Sequence, residues 1–173
     1  MEKYVPDMYQ ENIYKVNYDK LKEIGIKCLL FDLDNTLVPY DKKEATLELK
    51  NLFDKLKNME FRIVIFSNSP KKRLEPFKNY LEVDCLASAK KPLPASFKKV
   101  MMEYKYNESE IAIIGDQFMT DIVGGNKVGI TTILVNPLGE KDLIFTKINR
   151  HIEKKIMKKL GDRDLFLKGR YYE

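Results

Sequence analysis

The sequence predicts an α/β protein in which helices cover both faces of a central parallel sheet of about five strands. Short apolar runs alternate along the chain with segments whose apolar residues recur at helical spacing, a pattern typical of β-α-β units. Several of these runs end directly in acidic or hydroxyl side chains. Because ligands of open α/β sheets bind beyond the carboxyl ends of the strands, the polar ends indicate a functional site.

Length and composition favour one globular domain spanning residues 1–173. The chain is 44 % hydrophobic and 33 % charged, which provides a core and excludes global disorder. With neither an N-terminal apolar leader nor an apolar run of membrane-spanning length, we expect a cytoplasmic protein. Cys28 and Cys85 lack metal-binding spacing and are expected to be buried hydrophobes. The single histidine, His151, argues against a histidine-based triad or zinc cluster.

The net charge of +5 is concentrated near the C-terminus. Residues 141–170 carry a formal charge of +6, and the rest of the chain carries −1. An anionic partner of this protein would therefore act at the C-terminal segment.

Residues 1–26 form a tyrosine-rich lead-in, which is expected either to pack on the edge of the fold or to meet a lipid interface.

The first predicted strand follows this lead-in and runs from Cys28 to Phe31. It ends in Asp32-Leu33-Asp34-Asn35-Thr36. Side chains at i and i+2 of a strand share a face, so Asp32 and Asp34 are expected at one site. Two adjacent carboxylates repel each other unless they share a hard divalent cation. One would then serve as nucleophile and the other as acid and base.

The second predicted strand covers residues 61–66 and follows a helix predicted from a capping box at Asp41 to Met59. It ends in Ser67-Asn68-Ser69-Pro70. Ser69 is predicted to cap the next helix, whose first position is proline. Ser67 and Asn68 would then lie beside a helix N-terminus, which is a natural phosphate-binding place.

Three further strands are predicted at residues 84–87, 111–115 and 130–135. The third is followed by Lys90-Lys91-Pro92 and, beyond Pro94, by a helix that ends near Tyr104. The fourth ends in Asp116, with Asp121 shortly after it. An isolated lysine is usually a solvated surface residue. Lys90 or Lys91 becomes a candidate site residue only because it follows a strand in the same ordered set as the other polar strand ends.

These strand ends resemble, in order, the four motifs of the haloacid dehalogenase (HAD) superfamily. Asp-x-Asp-x-Thr occurs at residues 32–36, the second-motif serine is Ser67, and Gly-Asp-x-x-x-x-Asp occurs at residues 115–121. The third motif is a lysine before proline, which favours Lys91, with Lys90 as the alternative. The resemblance implies a Rossmann-like HAD fold and a magnesium-dependent phosphatase that forms an aspartyl-phosphate.

The resemblance also implies the roles of the site residues. Asp32 would be the nucleophile, and Asp34 would protonate the leaving oxygen and later deprotonate water. The resemblance implies that Mg²⁺ is held by the carboxylates of Asp32 and Asp116 and by the backbone carbonyl of Asp34. Asp121 would support this metal site from the next turn. The residues implied at the phosphoryl group are Ser67, the backbone around Asn68, and Lys91.

The spans between the first and third strands are too short for the cap domain that usually selects HAD substrates. One helix and one strand account for each span. An open site suits a phosphate carried on a lipid, a nucleic-acid end or a protein, or a small molecule enclosed by a neighbouring subunit.

Residues 141–173 are predicted to form a basic amphipathic helix and a tail. The apolar stripe of the helix consists of Phe145, Ile148, Ile152, Ile156 and Leu160. Such a helix can lie peripherally on an anionic membrane, here the inner membrane face, or cover the sheet with its lysines in water. Both alternatives stay open.

A narrower resemblance covers nearly the whole chain. Residues 6–16, the first motif and Thr146-Lys147-Ile148-Asn149-Arg150 with Glu153 resemble YqeG-type HAD class III-A phosphatases, a family similar to the phosphatidylglycerophosphate phosphatases. This resemblance implies a lipid head group as substrate. The alternatives are a soluble metabolite phosphatase, an enzyme for protein or nucleic-acid phosphates, and a non-catalytic docking module. Nucleic acid is not expected, because tryptophan and a recognisable nucleic-acid module are lacking, and the intact acids argue against a docking module.

Overall fold

The computed structural model describes the backbone of residues 1–139 and 144–173, and the side chains of these residues except 144–147 and 149. The strands are β1 (Met8–Gln10), β2 (Cys28–Phe31), β3 (Arg62–Phe66), β4 (Asp84–Leu86), β5 (Ile111–Gly115) and β6 (Thr131–Val135). The α-helices are α1 (Tyr18–Glu23), α2 (Leu47–Asn58), α3 (Lys71–Leu81), α4 (Pro94–Tyr104), α5 (Val123–Val128) and α6 (Ile144–Asp162).

The strands form one parallel sheet in the order β1-β6-β5-β2-β3-β4. In the middle of the sheet, Leu30 of β2 lies between Val64 of β3 and Ile113 of β5. The chain proceeds outward from β2 through β3 to β4, and then returns to β5 on the other side. Ligands of parallel sheets bind where the strand order reverses, so the crevice beyond the carboxyl ends of β2 and β5 is the expected site.

Helices pack on both faces of this sheet, as predicted. Phe31 on one face packs against Phe53 of α2, with ring centroids 5.1 Å apart. On the other face, Phe66 packs against Phe97 of α4 at 4.8 Å. Because β2, β3 and β5 are covered on both sides, nearly all of their residues are buried and their carboxyl ends are rigidly placed.

The sheet has six strands, one more than the prediction of about five. The additional strand is β1, which lies in the segment predicted as a lead-in. Met8–Gln10 pairs with residues 133–135 of β6. A strand of three residues has too little alternation to be recognised from sequence, and its partner is distant in the chain.

The C-terminal tail packs on β1. Tyr9 forms an antiparallel bridge with Tyr172, with N–O distances of 2.8 and 3.0 Å. Its buried ring also lies 4.9 Å from that of Phe166. The two ends of the described chain are thereby joined at the edge of the sheet.

Two predicted helix starts are wrong. Helix α2 begins at Leu47, where the Thr46 hydroxyl accepts a hydrogen bond from the Leu49 amide at 3.1 Å. Thr46 directly precedes the residues that the helix buries, so it replaces the capping box predicted at Asp41. At α3 the N-cap is Pro70, and the Ser69 hydroxyl instead donates to Asp34.

The predicted apolar stripe of α6 is divided between two faces. Ile156 and Leu160 are buried, whereas Ile148 and Ile152 are 57 % and 40 % exposed. Each step of four residues advances about 40° around an α-helix, so Ile148 and Leu160 are about 120° apart. The Phe145 part of the prediction lies outside the described side chains. Of the two cysteines, Cys28 is buried and Cys85 is half-buried.

No cap domain is inserted in the described segments that follow β2 and β3. Residues 32–61 contain only helix α2, and residues 67–83 contain only α3. Among the helices described, none combines the length and the apolar character that crossing a bilayer requires.

Candidate active site

Asp32 lies at the end of the central strand. Its amide donates to the carbonyl of Ile114 at 3.0 Å, which continues the pairing of β2 with β5 by one residue. Lys91 and Thr36 contact its carboxylate, because Oδ1 accepts from Lys91 Nζ at 3.0 Å and Oδ2 lies 3.2 Å from Thr36 Oγ1. The sheet and these contacts together fix the orientation of the carboxylate.

A tight turn after Asp32 positions Asp34. Asn35 adopts a left-handed conformation with φ 60°, which asparagine tolerates better than most residues, and its amide donates to the Val38 carbonyl at 2.7 Å. The Asp34 carboxylate points to α3. It accepts from Ser69 Oγ at 2.6 Å and from Arg73 Nε and Nη2 at 3.2 and 2.9 Å. The carboxylate is thus held by two side chains of the next βα connection.

Asp116 and Asp121 come from the end of β5 and from the π-helical turn Phe118–Ile122 that follows it. Thr36 Oγ1 lies 3.2 Å from Asp116 Oδ1, and the Gln117 amide donates to Asp121 Oδ2 at 3.3 Å. Gly115 permits this arrangement, because a Cβ built there would lie 2.1 Å from Asp121 Oδ2.

Lys91 reaches the cluster from the loop after β4. Its side chain is 1 % exposed, and the ammonium donates to Asp121 Oδ1 at 2.7 Å, to Asp32 Oδ1 at 3.0 Å and to the Phe66 carbonyl at 2.8 Å. The Asn68 side chain holds the lysine backbone, since its Oδ1 accepts from the Lys91 amide and its Nδ2 donates to the Lys91 carbonyl. Lys90 is exposed.

The carboxylates of Asp32, Asp116 and Asp121 each offer an oxygen, and these oxygens lie within 4.8 Å of one another. Burial and the neighbouring negative charges raise the pKa of Asp116 well above its ordinary value. Burial also raises the pKa of Asp121 to about 7, although Lys91 opposes that effect. Burial alone would lower the pKa of Lys91, but Asp121 and Asp32 outweigh it and hold that pKa above the usual range.

A hard divalent cation fits this cluster. Asp116 Oδ2 is buried and accepts no hydrogen bond from the part of the protein that the structure describes. An unsatisfied carboxylate oxygen beside two further carboxylates is costly without a positive charge and is the donor type that Mg²⁺ prefers. The Asp34 carboxylate lies outside this set, so any contribution of Asp34 to the metal would come from its backbone.

The structure thus brings most of the predicted residues together. Asp32, Asp116, Asp121 and Lys91 form one connected cluster. Asn68 contacts it through the backbone of Lys91, and Ser67 is buried at the end of β3, where its Oγ accepts from the Ser69 amide at 3.1 Å.

Sequence reasoning missed Arg73 and Ser69, which hold Asp34, and Arg150 of α6, whose Nη2 lies 3.9 Å from Asp116 Oδ2. The sequence places Arg150 on the predicted C-terminal helix and in the segment that resembles the YqeG-type phosphatases, but it indicates no role for this residue at the site. One arginine on a charged helix carries no local signal of a site. Its position relative to a strand end is decided by tertiary packing.

Comparisons with known proteins identify relatives over most of the chain. The family model described as Mitochondrial PGP phosphatase matches residues 2–139. The Bacillus subtilis (strain 168) protein named "Probable phosphatase YqeG" is 34 % identical over 157 residues, which cover 91 % of each chain. The chloroplastic/mitochondrial phosphatidylglycerophosphate phosphatase 1 of Arabidopsis thaliana is 25 % identical over 157 residues, covering 84 % of this chain and 45 % of the plant protein. This chain therefore spans less than half of that relative.

Among solved structures, the 3-deoxy-D-manno-octulosonate 8-phosphate phosphatase of Moraxella catarrhalis, in complex with a magnesium ion, a phosphate ion and a KDO molecule, superposes with a TM-score of 0.57. It is 14 % identical, and the match covers 70 % of this chain and 75 % of that one. At this identity the likeness shows the shared fold.

Proposed function

Because this chain belongs to the mitochondrial PGP phosphatase family and is a HAD-type phosphatase, we propose that it removes the terminal phosphate of phosphatidylglycerophosphate to leave phosphatidylglycerol. The observation that carries the chemistry is the buried cluster of three carboxylates and Lys91 at the switch point of the sheet. The family match, which spans residues 2–139 and includes this cluster, supports the lipid substrate.

The cofactor in this proposal is Mg²⁺, held by the carboxylates of Asp32 and Asp116 and the backbone carbonyl of Asp34, with Asp121 in support. The close carboxylates and the unsatisfied Asp116 Oδ2 support this assignment, as does the magnesium ion in the complex of the Moraxella phosphatase. Bound there, the ion would offset the negative charge of the phosphoryl oxygens and of the attacking carboxylate.

In the first step, a carboxylate oxygen of Asp32 attacks phosphorus, and the bond between phosphorus and the glycerol oxygen breaks. Asp34 gives its proton to that leaving oxygen, so the glycerol oxygen of phosphatidylglycerol departs as a neutral hydroxyl group. Arg73 and Ser69 keep the Asp34 carboxylate in one orientation. Arg73 also stabilises the ionised form that remains after the transfer.

In the second step, ionised Asp34 takes a proton from water, and the water oxygen attacks phosphorus of the aspartyl-phosphate. The bond between phosphorus and Asp32 breaks, which releases inorganic phosphate and restores the free carboxylate. Ser67 and the backbone of Asn68 bind phosphoryl oxygens in both steps, while Lys91 offsets their charge. The Asn68 side chain keeps Lys91 in place through its two bonds to the lysine backbone.

A lipid substrate fits the uncapped site and the surface of α6. This helix exposes Ile148 and Ile152, together with Lys154, Lys155, Lys158 and Lys159. Apolar side chains flanked by lysines favour peripheral binding to an anionic bilayer, to which each lysine near the surface adds about 1 kcal/mol. We propose that the protein works as one domain in the cytoplasm and at the inner membrane face.

The test is phosphate release from phosphatidylglycerophosphate in anionic vesicles, compared with a panel of soluble phosphomonoesters, with and without Mg²⁺. We expect the lipid to give the highest kcat/KM and the activity to require the metal. A soluble monoester that is hydrolysed as efficiently as the lipid would overturn the lipid assignment.

The variant Asp32→Asn tests the nucleophile in the same assay. An amide cannot form the aspartyl-phosphate, so we expect kcat to fall by about 10³-fold or more. The matched control is Asp54→Asn on α2, where the half-exposed carboxylate pairs with Lys50 away from the cluster and its loss should leave turnover intact. Undiminished turnover in Asp32→Asn would remove Asp32 from the mechanism.

A further inference from the structure

The connections that leave the carboxyl ends of β2, β3, β4 and β6 are bonded to one another around the mouth of the site. Ser69, after β3, donates from its hydroxyl to Asp34 at 2.6 Å, and its carbonyl accepts from the Ser88 amide, after β4, at 2.9 Å. Leu138, after β6, donates from its amide to the carbonyl of Asn35 at 2.9 Å. These connections, with the first residues of α2 and α3, form a fixed rim. The rim comprises residues 33–48, 67–72, 87–93 and 136–139.

Three leucines of the rim are exposed, and each belongs to a different connection. Leu47 begins α2 and is 67 % exposed, and Leu93 directly precedes α4 and is 56 % exposed. Leu138 is also exposed. Apolar side chains spread over separate connections are typical of insertion into a membrane interface, whereas a partner protein usually meets a continuous apolar patch.

Lysines outnumber acids among the exposed charged side chains of the rim. The lysines are Lys42, Lys43, Lys71, Lys72 and Lys90, and the acids are Asp41, Glu44 and Glu48. This leaves a surplus of two positive charges. Helices α2, α3 and α4 also begin at the rim, so the positive ends of their dipoles lie there. The rim therefore attracts an anionic surface.

The opposite edge of the sheet provides an internal comparison. Helix α4 leads from the rim towards the amino ends of the strands, because the chain that follows it enters β5. Met102, near the end of α4, is 80 % exposed and is followed by the acidic Glu103. Single exposed apolar side chains are common on protein surfaces. The rim differs because its leucines lie among lysines.

We propose that the rim docks on an anionic phospholipid bilayer, so that the mouth of the site faces the lipid headgroups. The lysines contact the headgroup phosphates, and the leucines enter the layer below them. The inference rests on the proposed function, because a phosphate on a lipid headgroup reaches the buried Asp32 most directly when the mouth lies against the bilayer. It adds to that function a contact apart from α6, which sets the orientation of the site.

The orientation can be measured directly, because the chain contains no tryptophan. A single tryptophan is introduced as Leu93→Trp or, as the matched control, as Met102→Trp. On vesicles of phosphatidylglycerol and phosphatidylcholine with brominated acyl chains, we expect the emission of Leu93→Trp to shift to shorter wavelength and to be quenched. Met102→Trp should keep the emission that it has in buffer. Equal quenching of both variants, or none of Leu93→Trp, would overturn the docking surface.

Co-sedimentation with vesicles of the same two lipids measures the contribution of charge. The double variant Lys71→Gln, Lys72→Gln should weaken binding by about tenfold or more, because each lysine near an anionic surface favours binding. The control is Lys98→Gln, Lys99→Gln, an adjacent exposed pair on α4, which removes the same charge away from the rim. Thermal unfolding checks that each variant is folded. Equal losses of affinity in the two double variants would contradict a contact through the rim.

Kinetics separate docking from chemistry. We expect Leu47→Ser with Leu93→Ser to lower kcat/KM for phosphatidylglycerophosphate in vesicles about tenfold relative to kcat/KM for soluble p-nitrophenyl phosphate, because only the lipid requires docking. Met102→Ser should leave this ratio as it is in the wild type. An equal fall towards both substrates in the double variant would assign the leucines to the site itself and refute the proposal.

The two proposals fail in different ways. If Leu93→Trp is quenched on vesicles but the wild type hydrolyses a soluble monoester as efficiently as phosphatidylglycerophosphate, the lipid function fails and the docking surface stands. If the lipid is the preferred substrate and Leu93→Trp is not quenched, the docking surface fails and the function stands.

Discussion

Lys91 places one positive charge among three buried carboxylates, and two of these, Asp32 and Asp121, accept hydrogen bonds from its ammonium. The third, Asp116, has its Oδ2 unsatisfied among the described residues. The cluster therefore carries excess negative charge in a buried place. This excess of negative charge is the physical reason to expect a cation there. It also means that adding or removing a single buried charge should change the stability of the protein strongly.

Glu153 offers a test of buried charge at a residue outside the cluster. It is 7 % exposed, and burial raises its pKa to about 7. An acid whose pKa is raised in the folded state binds more protons when folded. Stability should therefore be lost as pH rises from about 4.5 to about 7, and the loss should level off above that pKa.

We predict that Glu153→Gln removes the part of this loss that Glu153 causes, because the amide stays neutral and keeps an oxygen for the Met119 amide, whereas the parts caused by Asp116 and Asp121 remain. In the metal-free protein at pH 8, the free energy of unfolding should exceed that of the wild type by about 1–3 kcal/mol, and the gap should close towards pH 4.5. Urea unfolding at both pH values measures it. The exposed Glu103→Gln is the control, and a gap of the same size at both pH values would contradict the prediction.

At the scale of elements, the connection from β5 into the π-helical turn determines where the acids lie. Gly115 ends the strand, and the Asp121 side chain folds back over it. A Cβ at position 115 would lie 2.1 Å from Asp121 Oδ2 and 2.7 Å from Asp121 Cβ. Strand and turn can approach this closely only because position 115 has no side chain.

We predict that Gly115→Ala destabilises the protein by about 2 kcal/mol or more and displaces Asp121, so that both the melting temperature and phosphatase activity fall. The matched control is Gly161→Ala near the end of α6. A Cβ there would lie 3.5 Å from Leu167, an ordinary contact, and alanine should be neutral or stabilising by up to about 1 kcal/mol. Equal effects of the two substitutions would refute this account of Gly115.

At the scale of the whole molecule, the reversal of strand order brings distant parts of the chain to one crevice. Asp32 follows β2, Asp116 follows β5, and Lys91 comes from the loop after β4. Helix α6 adds Arg150, and its C-terminal half is fixed by a cluster that includes Tyr9 of β1 and Phe166 of the tail. A ligand of the carboxylates therefore binds the folded chain and not the unfolded one, so it should stabilise the whole structure.

We predict that Mg²⁺ raises the melting temperature. At a Mg²⁺ concentration of a hundred times its Kd, the free energy of unfolding should increase by about 2.7 kcal/mol. Asp116→Asn should lose most of this increase while melting higher than the wild type in EDTA, because a neutral amide replaces a buried charge. Differential scanning calorimetry at constant ionic strength measures both effects. An undiminished response of Asp116→Asn to Mg²⁺ would exclude Asp116 as a ligand.

Much of the fold and part of the site could be predicted from the sequence. Strands β2, β3 and β5 are apolar runs that end in Asp32, Ser67 and Asp116. Both the buried strand and its polar end can therefore be recognised from a few contiguous residues. The capless arrangement follows from the short spans between strands. The start of α2 could not be predicted, because the predicted capping box at Asp41 does not start the helix and Thr46, directly before the residues that the helix buries, caps it instead.

Taken alone, the order of residues determined the parallel α/β architecture and the acids at its strand ends, because hydrophobic period and strand-terminal chemistry are properties of contiguous segments. Only the tertiary structure decided that Met8–Gln10 joins the sheet, that Lys91 and not Lys90 enters the cluster, and that Arg73 and Arg150 converge on Asp34 and Asp116. The physical reason is that these outcomes depend on contacts between segments far apart in the chain, and such contacts leave no periodic signal in the segments themselves.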